Sequence, residues 1–288
     1  MVAAEFAMST AALSWQCIDR ALDLGAPVVM GVLNVTPDSF SDGGRFSQVE
    51  AALAQARLMI REGAAIIDVG GESTRPGAAP ATLDEELERV IPVIRAIRAE
   101  SPVFISVDTS KPEVMRGSVE AGADIINDVR ALQEPGALAA AADTRAGVCL
   151  MHMKGEPATM QREPRYDDVV REVKAFLKDS VRKAMFAGIG RDRIVVDPGF
   201  GFGKTAAHNL QILRSLSSFA DLEVPLLAGL SRKSTLGKLT GRPVEERLAG
   251  SLAMALLALQ GGARILRVHD VKETRDVIAV WQAYSNES

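Results

Sequence analysis

"PVVMGVLNVTPDSFSDGG", residues 27–44, changes character halfway along. Its first seven residues, Pro27–Leu33, form an unbroken apolar run of the kind that fills a strand buried on both faces. From Asn34 onward the chain turns polar and glycine-rich, with Asp38, Asp42, Gly43 and Gly44. A buried strand that opens this abruptly onto a polar loop delivers the kind of segment on which a rigid scaffold carries binding groups.

The unit recurs. "AIIDVGG" from Ala65, "VFISVDT" from Val103, "DIINDV" from Asp124, "GVCLMH" from Gly147, "RIVVDPG" from Arg193, "VPLLAGLS" from Val224 and "RILRVHDV" from Arg264 are further continuous apolar runs. Between them, stretches such as Gln48–Gly63, Leu83–Glu100 and Asp167–Gly188 carry apolar residues at three- and four-residue spacing, and several close on glycine as helices do. Eight strand-then-helix units in about 250 residues predict an α/β fold of the (β/α)8 TIM barrel type, with a doubly wound sheet as the rival topology. No linker or low-complexity tract divides the chain, so residues 27–288 read as one barrel domain. Residues 1–26 read as an N-terminal extension whose opening "MVAAEFA" resembles an expression scar.

Composition narrows the partners. With 288 residues, 47% of them apolar, the chain can bury a large core without metals or disulfides. A formal net charge of -4 gives no general attraction to nucleic acid or to an anionic membrane, so any anion must be held by local positive groups. Small molecules are the expected partners. Cys17 and Cys149 make no disulfide framework, and with no apolar stretch of membrane-spanning length and no basic-then-apolar leader the expected location is cytoplasmic.

A barrel places its chemistry at the C-terminal ends of its strands. Those ends carry Asn34; Glu72, Thr74 and Arg75; Asp108 and Thr109; Asn127 and Asp128; Met151 and His152; Asp197; the "SRKS" segment Ser231–Ser234; and the "RVHD" segment Arg267–Asp270. Any one of these acids or amides could simply cap a helix or make a turn. Their recurrence strand after strand is what points to a site. Asp108 and Asp197 are the sharpest, because a carboxylate at the end of an apolar strand is costly to bury unless something supplies N–H donors. Arg232 and Lys233 belong at the mouth by the same rule, and His269, two residues beyond Arg267, points to the same side as that arginine and suits an anion. His152 reads as a structural histidine. Zinc chemistry is disfavoured by only three histidines and no paired-ligand spacing, and "PGFGFGKT" misses the phosphate-loop pattern because Pro198 stands where glycine is needed.

"MGVLNVTPDSFSDGGRF" (residues 30–46) and "GAAIIDVGGESTRPGA" (63–78) resemble the two signature segments of the dihydropteroate synthase family, the folate-pathway branch of the pterin-binding barrels. Residues 106–129, 150–161, 197–205, 229–234 and 267–271 resemble its remaining blocks in the same order. The resemblance implies a transferase that condenses 4-aminobenzoate with 6-hydroxymethyl-7,8-dihydropterin diphosphate, with Mg2+ as cofactor and sulfonamides as competitors. It further implies that Asp108, Asn127, Met151, Asp197 and Lys233 hold the pterin, and that Asn34, Thr74, Arg75, Arg267 and His269 receive the diphosphate, Asn34 lending its oxygen to the metal. Phe40, Thr74, Pro76, Phe202 and Ser234 would wall the aminobenzoate pocket, with Arg75 and Lys233 beside them, and "TPDSFSDGG" and "STRPGA" would act as covers. Asp108, Asp197, Lys233 and Arg267 are the expected catalytic groups, and diphosphate loss by an SN1-like route the expected chemistry. The family also implies a homodimer, with the apolar stripe Val244–Gly262 either at its interface or in ordinary barrel packing. A methyltetrahydrofolate-binding methyltransferase would share the pterin carboxylates but has no use for "STRPGA", "SRKS" or the basic "RVH". An inactive pterin-binding paralogue is the reading from outside enzymology.

Overall fold

The computed structural model describes residues 13–36, 45–73, 80–156 and 159–286. A short antiparallel hairpin, β1 (Ser14–Cys17) and β2 (Arg20–Asp23), leads into β3 (Val28–Asn34). There follow α1 (Arg45–Arg61), β4 (Ile66–Gly70), α2 (Leu83–Glu100), β5 (Phe104–Asp108), α3 (Pro112–Glu120), β6 (Ile125–Asp128), α4 (Ala137–Thr144) and β7 (Gly147–Met151). The second half runs α5 (Val169–Phe186), β8 (Ile194–Asp197), α6 (Ala206–Arg214), β9 (Leu227–Ala228), α7 (Ser234–Thr240), α8 (Leu248–Gln260), β10 (Ile265–Val268) and α9 (Val271–Asn286). Each of the eight apolar runs becomes a strand, and all eight pair in parallel in the order β8-β7-β6-β5-β4-β3-β10-β9. A parallel bridge between Val196 and Leu226 closes the ring. This is the (β/α)8 barrel.

Successive residues on each strand face opposite ways, and two cores result. Outward residues such as Val29, Ile67, Ile126, Val148, Val196 and Leu266 pack under the helices. Inward residues at the N-terminal end of the barrel (Met30, Ile66, Ile125, Cys149, Val195, Leu227 and Ile265) form a second cluster with Trp15, Cys17, Leu22 and Leu24 of the hairpin. Residues 14–23, part of what reads from sequence only as an extension, therefore plug the bottom of the barrel. Trp15 and Cys17 are fully buried, and the Trp15 indole donates to the Arg193 carbonyl at 2.8 Å. A Cβ at residue 147 would stand 2.7 Å from Cys17 Sγ, so the plug seats only because Gly147 has no side chain. Asp124 ties it down. Its carboxylate accepts from Arg20, from Arg98 at 2.6 Å and from the Ile105 N–H, while the Arg20 guanidinium lies 4.0 Å above the Phe104 ring. Among the described residues, no helix is long and apolar enough to cross a membrane.

Candidate active site

Two residues further along those inward-facing positions, the polarity inverts. Ile66, Ile125, Cys149, Val195, Leu227 and Ile265 give way to Asp68, Asn127, Met151, Asp197, Gly229 and Arg267, with Asp108 beside them at the end of β5. Strand alternation alone brings these groups to one mouth. Arg267 is the link: its Nε donates to Asp68 Oδ2 at 2.7 Å and its Nη2 to Asp108 Oδ2, also at 2.7 Å. Asn127 Nδ2 lies 3.3 Å from Asp68 Oδ2. Asp197 Oδ1 accepts from the Gly199 N–H at 2.7 Å. Among the described residues, neither Asp108 Oδ1 nor Asp197 Oδ2 accepts a hydrogen bond. Two carboxylates thus keep an open oxygen in a site that water only partly reaches.

Lys233 comes in from the segment before α7. Its backbone is placed by Arg232, which adopts a left-handed conformation (φ 58°) and is held by a bidentate pair with Asp270 and by Ser251 Oγ, which accepts from its N–H at 3.0 Å. The Lys233 ammonium donates to the Phe200 carbonyl and sits 4.3 Å over the Phe202 ring. Gly229 leaves the space between these groups open. A Cβ there would stand 3.7 Å from Asp197 Oδ2, 3.9 Å from Lys233 Nζ and 3.9 Å from Arg267 Cβ.

Burial sets the protonation chemistry. It pushes Asp108 up to about 7 even though the Arg267 charge pulls it down, and the neighbouring Asp68 adds to the rise. Asp197 is raised by burial as well, against the opposing pull of Lys233 and the Gly199 N–H. Lys233 is lowered to about 8 by burial, with Asp197 working to keep it charged. For Arg267 burial works against the charge, but Asp68 and Asp108 outweigh it and hold the guanidinium firmly protonated. His269 falls to about 4 through burial and the charges of Arg267 and Arg232, so near neutrality it is an uncharged hydrogen-bonding group. Its Nδ1 lies 3.1 Å from Ser231 Oγ.

Of the residues singled out in the sequence, Asp108, Asn127, Met151, Asp197, Lys233 and Arg267 converge on this mouth, and Phe202 lines it next to Lys233. Asn34 ends β3 with its side-chain oxygen 3.8 Å from where a Gly70 Cβ would be, on the flank of Asp108. His269 follows Arg267 at the rim, and Ser234 is exposed at the start of α7. Phe40, Thr74, Arg75 and Pro76, with most of the two cover segments, lie outside the described residues. Asp128 faces a neighbouring loop, where its carboxylate accepts from Ser110 and from the N–H groups of Arg130 and Leu132. His152 is buried under Lys204, as a structural histidine would be.

Sequence reasoning overlooked Asp68 and Lys204. Asp68 could have been found by parity, since it lies two residues beyond an inward isoleucine on a strand whose next inward position, Gly70, is paired with Asp108. Lys204 gave no such signal, because a lysine in a glycine-rich loop reads as solvated.

Residues 30–269 match the family model described as pterin binding enzyme. The chain is 56% identical over 262 residues to the dihydropteroate synthase of Escherichia coli K12, covering 91% of this chain and 93% of that one. The dihydropteroate synthase of Xanthomonas albilineans solved with 4-aminobenzoic acid superposes with a TM-score of 0.90 at 54% identity, covering 95% of this chain and 98% of that one. The same enzyme in complex with 7,8-dihydropteroate gives a TM-score of 0.87 at 52% identity, covering 94% and 98%. The Yersinia pestis dihydropteroate synthase with a sulfonamide drug complex gives 0.90 at 49% identity, covering 95% and 99%.

Proposed function

The chain belongs to the pterin-binding enzymes, and from that premise we propose that it works as a dihydropteroate synthase, joining 4-aminobenzoate to 6-hydroxymethyl-7,8-dihydropterin diphosphate to give 7,8-dihydropteroate and diphosphate. The observation that carries this reading is the convergence of Asp108, Asn127, Asp197, Lys233 and Arg267 on one barrel mouth around the open volume at Gly229. A pterin presents an amino group beside a ring N–H, and an ionised carboxylate accepts both at once. The open oxygens of Asp108 and Asp197 suit that task, Asn127 adds orienting bonds, Met151 supplies an apolar wall, and Lys233 donates to a ring acceptor.

The diphosphate falls to Arg267 and His269 at the rim, with Asn34, Thr74 and Arg75. Aminobenzoate would sit against Phe202 and Ser234, with Phe40, Thr74 and Pro76 from the two cover segments. Mg2+ fits the donor set as an ion shared with the substrate: no group of three or more His, Cys, Asp or Glu able to hold a metal occurs among the described residues, while Asn34 offers one hard amide oxygen. Magnesium commonly takes one or two protein oxygens and completes its shell with phosphate and water. Bound there, it would offset negative charge on the diphosphate.

The chemistry is a displacement at the pterin methylene. The C–O bond breaks with its electron pair going to diphosphate, the ring delocalises the cation, the arylamine lone pair forms the C–N bond, and the amine proton passes to diphosphate or solvent. Stabilising the departing anion is the main catalytic contribution, and Arg267, held protonated between two acids, is built for it.

The experiment measures diphosphate release and dihydropteroate formation with and without 4-aminobenzoate. Release coupled to product supports the synthase; pterin binding with no turnover would make the chain an inactive binder. Isotope exchange between diphosphate and substrate in the absence of aminobenzoate supports the dissociative route, and its absence at saturating diphosphate overturns it. We place this enzyme in the cytoplasm, consistent with the free buried thiols of Cys17 and Cys149, and as a homodimer, with exposed Leu256, Leu257, Val280 and Tyr284 on α8 and α9 as the candidate face. Sedimentation tests the dimer.

A further inference from the structure

Five successive carbonyls on the loop between Asp197 and α6 each accept from a side chain. Gly199 and Phe202 are held by Lys204 at 2.9 and 3.0 Å, Phe200 by Lys233, Gly201 by Gln161, and Gly203 by the Tyr166 hydroxyl at 2.9 Å. Lys204 does the most. It is 2% exposed, and the same ammonium also reaches His152 Nδ1 at 2.8 Å and the His152 carbonyl at 3.2 Å. It therefore fastens the loop to the C-terminal end of β7. The loop lies flush there: a Cβ at residue 199 would be 1.9 Å from the His152 carbonyl, and Gly199, Gly201 and Gly203 all take positive φ, so shape and donors fix one conformation together.

We propose that Lys204 is a positioning residue for the second substrate: by clamping the Gly199 and Phe202 carbonyls, it sets where the Phe202 ring stands, and hence the shape of the aminobenzoate pocket. The inference rests on the synthase reading, which assigns Phe202 to that pocket. The clamp works through donated N–H groups, its partners being three carbonyl oxygens and one ring nitrogen. Burial pulls Lys204 well below its ordinary range while Asp197 opposes the shift, and His152, lowered to about 3 chiefly by burial, stays neutral. Nothing in the arrangement places Lys204 against a reacting atom.

The test compares the intact protein with Lys204→Met and Lys204→Arg. Lys204→Met keeps the unbranched apolar stem but donates nothing; it should raise the KM for 4-aminobenzoate at least tenfold while the affinity for the dihydropterin diphosphate, measured by calorimetry in the absence of aminobenzoate, changes less than threefold. Lys204→Arg, which restores donors, should recover part of that KM. A fall in melting temperature with both constants unchanged would show a purely structural residue and overturn the proposal, as would an equal loss on both substrates. Should Lys204→Met not fold, Tyr166→Phe removes a single clamp from the same loop, and it should raise the aminobenzoate KM two- to fivefold without moving pterin affinity; no change overturns the proposal. Absence of turnover by the unaltered protein would instead bring down the synthase reading.

Discussion

The two ends of the barrel are built from the same strands, one inward position apart, and they are opposites. At the bottom, Ile66, Ile125, Val195 and Ile265 close around Trp15 and Cys17, and the nearby carboxylate of Asp124 is fully engaged by Arg20, Arg98 and the Ile105 N–H. At the top, Asp68, Asn127, Asp197 and Arg267 occupy the next inward positions, and Asp108 and Asp197 each keep an open oxygen. Burying acids this way is costly, as the upward shifts of Asp108 and Asp197 record. The lesson is a division of labour. The apolar plug fills the floor of the closed ring, while the mouth holds acids whose charge burial disfavours.

That division can be broken from either end. Trp15→Ala should cost about 3–5 kcal/mol in denaturant unfolding, the range for emptying a fully buried tryptophan site, and leave kcat of the folded fraction unchanged. A loss of kcat in that variant would show that the plug shapes the site as well as supporting it. From the other end, Asp197→Asn should lower kcat/KM by on the order of 10²–10³ with no fall in melting temperature, because it removes a buried charge as well as a ligand contact. A strongly destabilised Asp197→Asn would contradict the picture of a mouth that opposes stability.

The pH profile sharpens the contrast. Asp108 must be ionised to accept from the pterin and Lys233 protonated to donate, so kcat/KM should rise as pH increases through about 7 and fall as it increases through about 8. A flat profile from pH 6 to 9 would refute the assignment. The smallest expected effect comes from Gly229→Ala. Its methyl would make ordinary contacts with Asp197, Lys233 and Arg267, so stability should stay within about 0.5 kcal/mol, while pterin affinity should weaken about tenfold, roughly 1.4 kcal/mol, because the group takes up ligand space.

Much of this was legible in the chain. Eight continuous apolar runs suited strands buried on both faces, and their number and spacing favoured the barrel over a doubly wound sheet. The residues that meet at the mouth were legible because Asp108, Asn127, Asp197 and Arg267 stand at or next to the ends of such runs, strand after strand, which is more than helix caps and turns alone ask for. The hairpin was not. Ser14–Cys17 and Arg20–Asp23 are four residues each, too short for their alternation to stand out, and only the ring of inward apolar residues makes Trp15 and Cys17 core. Asp68 was hidden inside its run, where the eye counts "IIDVG" as a break in hydrophobicity instead of an inward step. Lys204 was hidden by its chemistry, since a lysine next to glycines gives no sign that a cage of carbonyls awaits it.

The join between β8 and β9 carries one further meaning. β9 contributes two residues to its pairing with β10, and across to β8 the closure rests on the Val196–Leu226 bridge. The most loosely hooped stave of the cask thus stands between the strand that ends in Asp197 and the one that leads to Gly229 and Lys233, so any breathing of the wall is concentrated beside the chemistry, and amide exchange should start there while the plugged floor keeps its protons longest.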